Sequence, residues 1–300
     1  MDAIREWRSV TLPPEVRTVV TMLSMEERQF LYAMGRDYWT GEGAIIYAGC
    51  FLGGSTLALG MGVQANSRGL TRRGAIYSYD LFVADAHQAG SYLKKFGTFA
   101  AGDSVRPIFD WQTREVASLL EVHEGDVRNC TWPAEVAIDV LFIDLAKTWS
   151  INDVIVREFF PALVPGRSIV IQQDYVHPTC PWLAVTMEHL ADYFEPLAYV
   201  PGNSMIYGVR QAVPHSAVDD AQISRLSDEQ KRDLLDRAIA KAASVLPPDD
   251  LVELEAARAL FLLSVLGPER AREDIARIRA QYATSRRMPT AVGWVEKRLV

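Results

Sequence analysis

Four groups of residues in this chain have the types and spacing to do chemistry. The first is the turn Gly49-Cys-Phe-Leu-Gly53-Gly54, which follows the apolar run Ala44-Ile-Ile-Tyr47 and leads into Ser55-Thr56-Leu57-Ala58-Leu59. A buried strand, a tight turn and a helix start fit that order. Backbone N–H groups in such a turn can approach an anionic ligand, with the helix dipole assisting. The same glycines also suit a plain strand–helix turn, and both readings stand. The spacing is neither G-x-G-x-x-G nor a P-loop, since no Gly-Lys-Ser/Thr follows, which weighs against NAD and ATP. The second group is Asp80, directly after the run Ala75-Ile-Tyr-Ser-Tyr79. A carboxylate there can accept hydrogen bonds from ribose hydroxyls.

The other two groups leave neighbouring strands. Asp144-Leu-Ala-Lys147 follows Val140-Leu-Phe-Ile143, and Gln172-Gln173-Asp174-Tyr175-Val-His177 follows Ser168-Ile-Val-Ile171. Ligands of open α/β sheets bind beyond the carboxyl ends of the strands, where both groups fall. Asp144 and Lys147 can form a simple ion pair. For Lys147 to act as a base its pKa must be lowered by desolvation or a nearby cation, whereas Asp144 alone would raise it. His177 is a second candidate base because imidazole titrates near neutrality, with a solvated or structural loop histidine as the alternative. Asp174 can serve as base or orient His177. Trp149, Tyr175 and Trp182 suit either a pocket wall or the core. His87, His123, His189 and His215 share no metal-ligand spacing, and no G-x-S-x-G elbow is present.

These residues need a sheet to position them. Short apolar runs around residues 44–47, 75–79, 120–123, 140–143 and 168–171 alternate with helix-like segments after Gly54 and over 105–119, 151–160 and 182–194. That alternation predicts a parallel sheet covered on both faces. Leu197-Ala-Tyr-Val200 and Met205-Ile-Tyr-Gly-Val209 flank Pro201-Gly-Asn-Ser204, a hairpin signal. The expected fold is α/β: a doubly wound, mostly parallel Rossmann-like sheet of seven strands, closed by a C-terminal hairpin and followed by a helical extension. Ser24-Met-Glu-Glu27 has capping-box spacing and opens an N-terminal helix carrying Phe30, Leu31 and Met34. Helices are expected over 228–246, 251–266 and 268–282, with the apolar stripe Ala271, Ile275, Ile278 and Tyr282 packing on the sheet domain or on a second copy of the chain. The expected segments are 1–40 (helical), 41–212 (sheet domain) and 216–300 (helical cap or dimerisation element).

Composition bounds the function. A net charge of -7 argues against a general nucleic-acid binder. Three widely spaced cysteines without a C-x-x-C pair argue against a disulfide framework or structural zinc. The apolar runs are too short to span a membrane and the N-terminal residues lack a signal-peptide core, so the expectation is a reduced, cytoplasmic protein with a small-molecule partner.

The motifs taken in order also resemble a known family. Ile46-Tyr-Ala-Gly49-Cys-Phe-Leu-Gly53-Gly-Ser-Thr56, Tyr79-Asp80-Leu-Phe, Glu124-Gly-Asp126, Phe142-Ile-Asp144 and Phe160-Pro-x-Leu-x-Pro-Gly166 resemble class I S-adenosylmethionine-dependent methyltransferases, in particular the macrocin-type sugar O-methyltransferases. The resemblance spans residues 24 to 210. It implies that Gly49 and Gly53 face the methionine part of the cofactor, with Ser55 beside its carboxylate. Asp80 would then hold the ribose and Asp126 the adenine amino group, with Tyr47 and Asp144 bordering the same cleft. Tyr47 stands where the family usually has an acid, which weakens the expected contact with the cofactor's ammonium group. Lys147 resembles the lysine of the D-x-x-K motif that helps to deprotonate the acceptor. The metal-using relatives imply Asp144, Gln173 and Asp174 as ligands for a hard cation such as Mg²⁺. Gln173 leaves that set one carboxylate short, so both metal-assisted and metal-free chemistry stay open. The implied activity is methyl transfer to a small-molecule hydroxyl. The alternatives are a degenerate member of the fold that acts as a binding or assembly module, and a nicotinamide-dependent oxidoreductase.

Overall fold

Continuous apolar runs become strands here because both of their faces are covered. The computed structural model describes residues 2–69, 73–219 and 222–299, so parts of the three expected segments lie outside the described residues. The strands are β1 (Ala44–Ala48), β2 (Ile76–Asp80), β3 (Leu120–Glu124), β4 (Ile138–Ile143), β5 (Ile169–Gln172), β6 (Phe194–Val200) and β7 (Ser204–Val209). They form one sheet in the order β3-β2-β1-β4-β5-β7-β6. The pairs from β3 to β5 are parallel, and β7 runs antiparallel to β5 and β6. The chain leaves β1 for β2 and β3 on one side and returns to β4 and β5 on the other, so the order reverses between β1 and β4. The expected mostly parallel, seven-stranded Rossmann-like sheet with its closing hairpin is what the chain adopts.

Helices of at least eight residues are numbered α1 (Met25–Ala33), α2 (Gly54–Gln64), α3 (Arg106–Thr113), α4 (Trp149–Phe159), α5 (Pro181–His189), α6 (Asp228–Ala242), α7 (Pro248–Leu266), α8 (Pro268–Gln281) and α9 (Met288–Glu296). Every residue of β1, β4 and β5 is buried. Their side chains alternate between two cores, as a period of two requires. Ile45, Tyr47, Val140, Phe142, Ile169 and Ile171 face α1, α2 and α3. Ala44, Ile46, Leu141, Ile143 and Val170 face α4, α5 and α6. At the sheet edge, β3 is only half-buried and carries Glu121, His123 and Glu124.

The local signals were largely obeyed. Ser24 caps α1 through the full capping box with Glu27, and Phe30, Leu31 and Met34 are buried. The segment expected as one helix over 105–119 divides into α3 and a 3₁₀ stretch, Arg114–Leu119. The helix expected to reach Phe194 ends at His189 instead. Phe194 packs on Phe160 at 5.2 Å and opens β6, lengthening the hairpin.

The extension also differs in detail. Its stripe of Ala271, Ile275, Ile278 and Tyr282 is buried within the extension itself and not against the sheet domain. It meets Val252, Ala256 and Ala259 of α7 and Ala291, Val292 and Val295 of α9, forming a small core of its own. The opposite face of α7, with Leu254, Ala257 and Phe261, joins the sheet-side core. The helix α9 was not anticipated, because Pro289 and Gly293 blur its pattern. No helix among the described residues is long and apolar enough to cross a membrane.

Ile278 is fully buried in that small core. Ile278→Asp should therefore bury an unpaired charge and cost on the order of 3 kcal/mol or more. A chemical-denaturation midpoint equal to that of the wild type would show that the stripe is not packed as described.

Candidate active site

The polar groups singled out from the sequence meet at the carboxyl ends of β1, β2, β4 and β5. A cavity of about 320 Å³ opens there, lined by Gly49, Phe51, Asp80, Asp126, Asp144 and Lys147 among others. It lies beside the β1/β4 reversal, where open α/β sheets bind ligands. Two glycines make room for the walls. At Gly49 (φ +105°) a Cβ would sit 2.8 Å from the backbone of Asp144 and Leu145, so no side chain fits between β1 and β4. At Gly53 (φ +83°) a Cβ would lie 2.5 Å from Thr113 Cγ2, so this glycine serves the contact with α3. Gly53 is the N-cap of α2 and offers no side-chain cap, leaving the first-turn N–H groups without one. Such a terminus favours an anion.

Asp80 is engaged on both oxygens, taking N–H groups from Phe51 and Phe82 at 2.7 Å each. It thereby ties the glycine turn to the end of β2. Burial raises its pKa, and those backbone donors oppose the rise. Each oxygen still has a lone pair for a ligand hydroxyl. Asp126 lies at the cavity rim, but its carboxylate forks onto Arg128, which holds it at about 2. Ser55 is buried in the first turn of α2. Tyr47 is fully buried, stacked on Phe142 at 4.5 Å, and does not line the cavity. Its hydroxyl has no hydrogen-bond partner among the described residues, with Ser55, Asp144 and Glu27 as polar neighbours.

Next to the cavity, Lys147 Nζ bridges Asp144 Oδ1 at 2.6 Å and Asp174 Oδ2 at 2.7 Å. Desolvation pulls the ammonium pKa down, but the two carboxylates outweigh it and hold Lys147 above the ordinary lysine range. Lys147 is therefore protonated and is no base in this arrangement. Burial pushes Asp144 up to about 6, against the pull of Lys147 and with the repulsion of Asp174 adding to it. Asp174 adopts φ +61°, a left-handed conformation that asparagine and aspartate tolerate best among residues other than glycine.

His177 is close by, yet it is not arranged as a base. Its Nδ1 accepts the Thr179 N–H at 3.3 Å and lies 2.9 Å from Thr179 Oγ1. With Nδ1 accepting, the proton of the neutral ring is assigned to Nε2, making that nitrogen a donor. Burial lowers the His177 pKa, with Lys147 and Arg298 adding to the effect against Asp174.

The metal set Asp144, Gln173 and Asp174 fits poorly. The Lys147 ammonium already bridges the two carboxylates. Gln173 Oε1 is buried without a partner among the described residues, but an amide is a weak third ligand for a hard cation. No group of three His, Cys, Asp or Glu side chains among the described residues is placed to hold a metal ion.

No protein-family model and no curated protein matches the chain. Among solved structures it is similar to one titled "Structure of the O-methyltransferase NovP". That likeness has 14% sequence identity, covers 65% of this chain and 84% of the other, and has a TM-score of 0.48.

Several neighbours of the site were not anticipated from sequence. Met22, Leu81 and Val83 are exposed apolar residues on the cavity wall; Leu81 sits within the Tyr79-Asp80-Leu-Phe motif, but none of the three has a side chain that signals chemistry. Trp294 of α9 lies edge-on to His177, with ring centroids 5.3 Å apart at 65°. The extension thus reaches the polar cluster from a helix that had no sequence signal. Of the two fates open to Trp149, Tyr175 and Trp182, the structure gives them the core. Trp149 packs on Trp182 at 5.8 Å and on Phe261, while Tyr175 and Trp182 are buried.

The Lys147 bridge makes a direct prediction. In Lys147→Met the Asp144 carboxyl loses its opposing cation, so carbon-13 NMR should show it titrating well above 6. An unchanged or lower value would contradict the bridge.

Proposed function

We propose that this chain is an S-adenosylmethionine-dependent methyltransferase acting on a hydroxyl of a small molecule. One observation carries the reading: a cleft at the strand-order reversal brings the ribose-type carboxylate Asp80 and the glycine turn at Gly49 next to a half-buried carboxylate pair. The cleft's size is within the usual range for small-ligand sites. The residues present fit the cofactor. Asp80 would take the ribose hydroxyls, and the Gly49–Gly54 turn with the first-turn N–H groups of α2 would take the carboxylate. Asp126 would have to share its oxygens between Arg128 and the adenine amino group. When bound, the cofactor supplies an electrophilic methyl group on a sulfonium.

The chain's own residues then have to orient the acceptor and take its proton. Asp144 is the base in this reading. With a pKa of about 6 it is ionised at neutral pH, yet more basic than an ordinary carboxylate. Lys147 keeps the second carboxylate, Asp174, from forcing Asp144 into its protonated form. His177, donating through Nε2, would orient an acceptor oxygen. A second reading, a binding module without catalysis, is favoured by Tyr47. It replaces the expected acid and leaves a buried hydroxyl without a hydrogen-bond partner among the described residues.

Thermal shifts with S-adenosylmethionine, S-adenosylhomocysteine, NAD and NADP test the class. The expected result is stabilisation by the first two alone. Calorimetry on Asp80→Ala should then show at least a tenfold weaker cofactor, from the loss of hydrogen bonds to a charged acceptor worth about 1.5–3 kcal/mol each. No shift with any of the four ligands would reject the methyltransferase. A cofactor shift without turnover across hydroxyl acceptors would favour the binding module.

A further inference from the structure

The capping box of α1 does more than start a helix. Ser24 Oγ donates to Pro201 O at 2.7 Å, and Ser204 Oγ donates to Glu27 Oε1 at 2.7 Å. Ser24, the N-cap of α1, and Glu27 in its first turn thus grip both ends of the turn that joins β6 to β7. Glu27 Oε2 also accepts Ser24 N–H at 2.9 Å and lies 3.0 Å from Ser24 Oγ. At Gly202 (φ +117°) a Cβ would collide with the Glu27 carboxyl, so the turn is moulded onto it. Glu27 is 2% exposed.

The gripped turn in turn holds the candidate active site. Asn203 O accepts Tyr175 N–H at 2.9 Å, and Tyr175 directly follows Asp174. Gln173 N–H is fixed on the other side by Ile143 O at 3.0 Å. Asp174 is thus held between two anchored amides in its left-handed conformation, which delivers its carboxylate to Lys147.

We propose that Glu27 is a positioning residue for Asp174, acting through Ser24, Ser204 and the Pro201–Ser204 turn. The hydrogen bonds at its two oxygens are what hold the turn. Ser24 Oγ has a single hydrogen and spends it on Pro201 O, while also accepting Glu27 N–H at 3.1 Å. Glu27 Oε2 lies within reach of the same hydroxyl and also takes Ser24 N–H, while Oε1 takes Ser204 Oγ–H, so both carboxyl oxygens are engaged in the clasp. Burial pushes the Glu27 carboxyl up to about 8, against its hydrogen bonds with Ser204 and Ser24. The charged or titratable groups facing it are Arg28 on α1 itself, Tyr47 at the end of β1 and Asp144 after β4. The hairpin contributes serine hydroxyls and backbone.

The role assigned to Asp174 rests on the methyltransferase reading, but the clasp is testable without it. Hydrogen exchange at the Tyr175 amide, followed in the full-length protein, reports the Asn203 contact directly. Glu27→Gln keeps an acceptor oxygen and should leave exchange within about twofold of the wild type. Glu27→Ala should speed it at least tenfold, and Ser204→Ala, the milder change, should fall between. If cofactor binding and turnover are found, Glu27→Ala should lower kcat with little change in cofactor affinity, and Glu27→Gln should restore it. Should Glu27→Ala fail to fold, the comparison of Ser204→Ala with Glu27→Gln carries the test. Wild-type exchange in both Glu27→Ala and Ser204→Ala would overturn the clasp, as would Glu27→Gln exchanging as fast as Glu27→Ala. Tyr175 exchange that follows the clasp in a protein that binds no cofactor would leave the clasp standing and reject only the catalytic reading.

Discussion

Two carboxylates at the ends of adjacent strands repel each other, and the site depends on the single ammonium placed between them. Lys147 reaches both Asp144 and Asp174, and its charge permits both acids to stay in a partly buried setting. The arrangement also sorts the roles. The lysine is locked in its protonated form, while Asp144 is left with a raised but accessible pKa. In the proposed reading a base and a fixed positive charge are thereby separated within one small cluster, an arrangement by which a folded protein can take a proton near neutral pH.

The rest of the molecule can be understood as what keeps this cluster beside the cleft. The reversal of strand order between β1 and β4 opens the cleft, and Gly49 lets the two strand ends approach closely enough to share it. Asp80 pins the glycine turn to β2 by accepting two backbone amides. From the other side the β6–β7 turn anchors the segment after β5. The helical extension closes the far side, bringing Trp294 against His177 while its own apolar stripe is consumed internally by α7 and α9.

The sheet was legible in the sequence because buried parallel strands leave short, continuous apolar runs, and β1, β4 and β5 are buried along their whole length. The first-turn signal at Ser24 and Glu27 was legible for the same local reason. Its second use was not, because Ser24 and Glu27 meet Pro201 and Ser204 across 177 residues of chain. Asp144, Lys147 and Asp174 could be placed at one sheet edge from strand order alone. Which of them keeps its proton could not, since that depends on distances between side chains on different strands. For His177 the sequence left a base and a structural loop histidine both open, and only the Thr179 amide reveals that its acceptor nitrogen is already used. Trp149 and Trp182 suited either a pocket wall or the core from sequence alone, and helix packing places them with the core.

The central claim is that the cleft at the β1/β4 reversal holds S-adenosylmethionine next to the Asp144–Lys147–Asp174 cluster. A crystal structure of the chain grown with S-adenosylhomocysteine tests it most directly. The expected result is ligand density in that cleft, with the ribose hydroxyls on Asp80 and the amino-acid end toward the Gly49–Gly54 turn. An empty cleft at saturating ligand, or density bound away from Asp80, would contradict it.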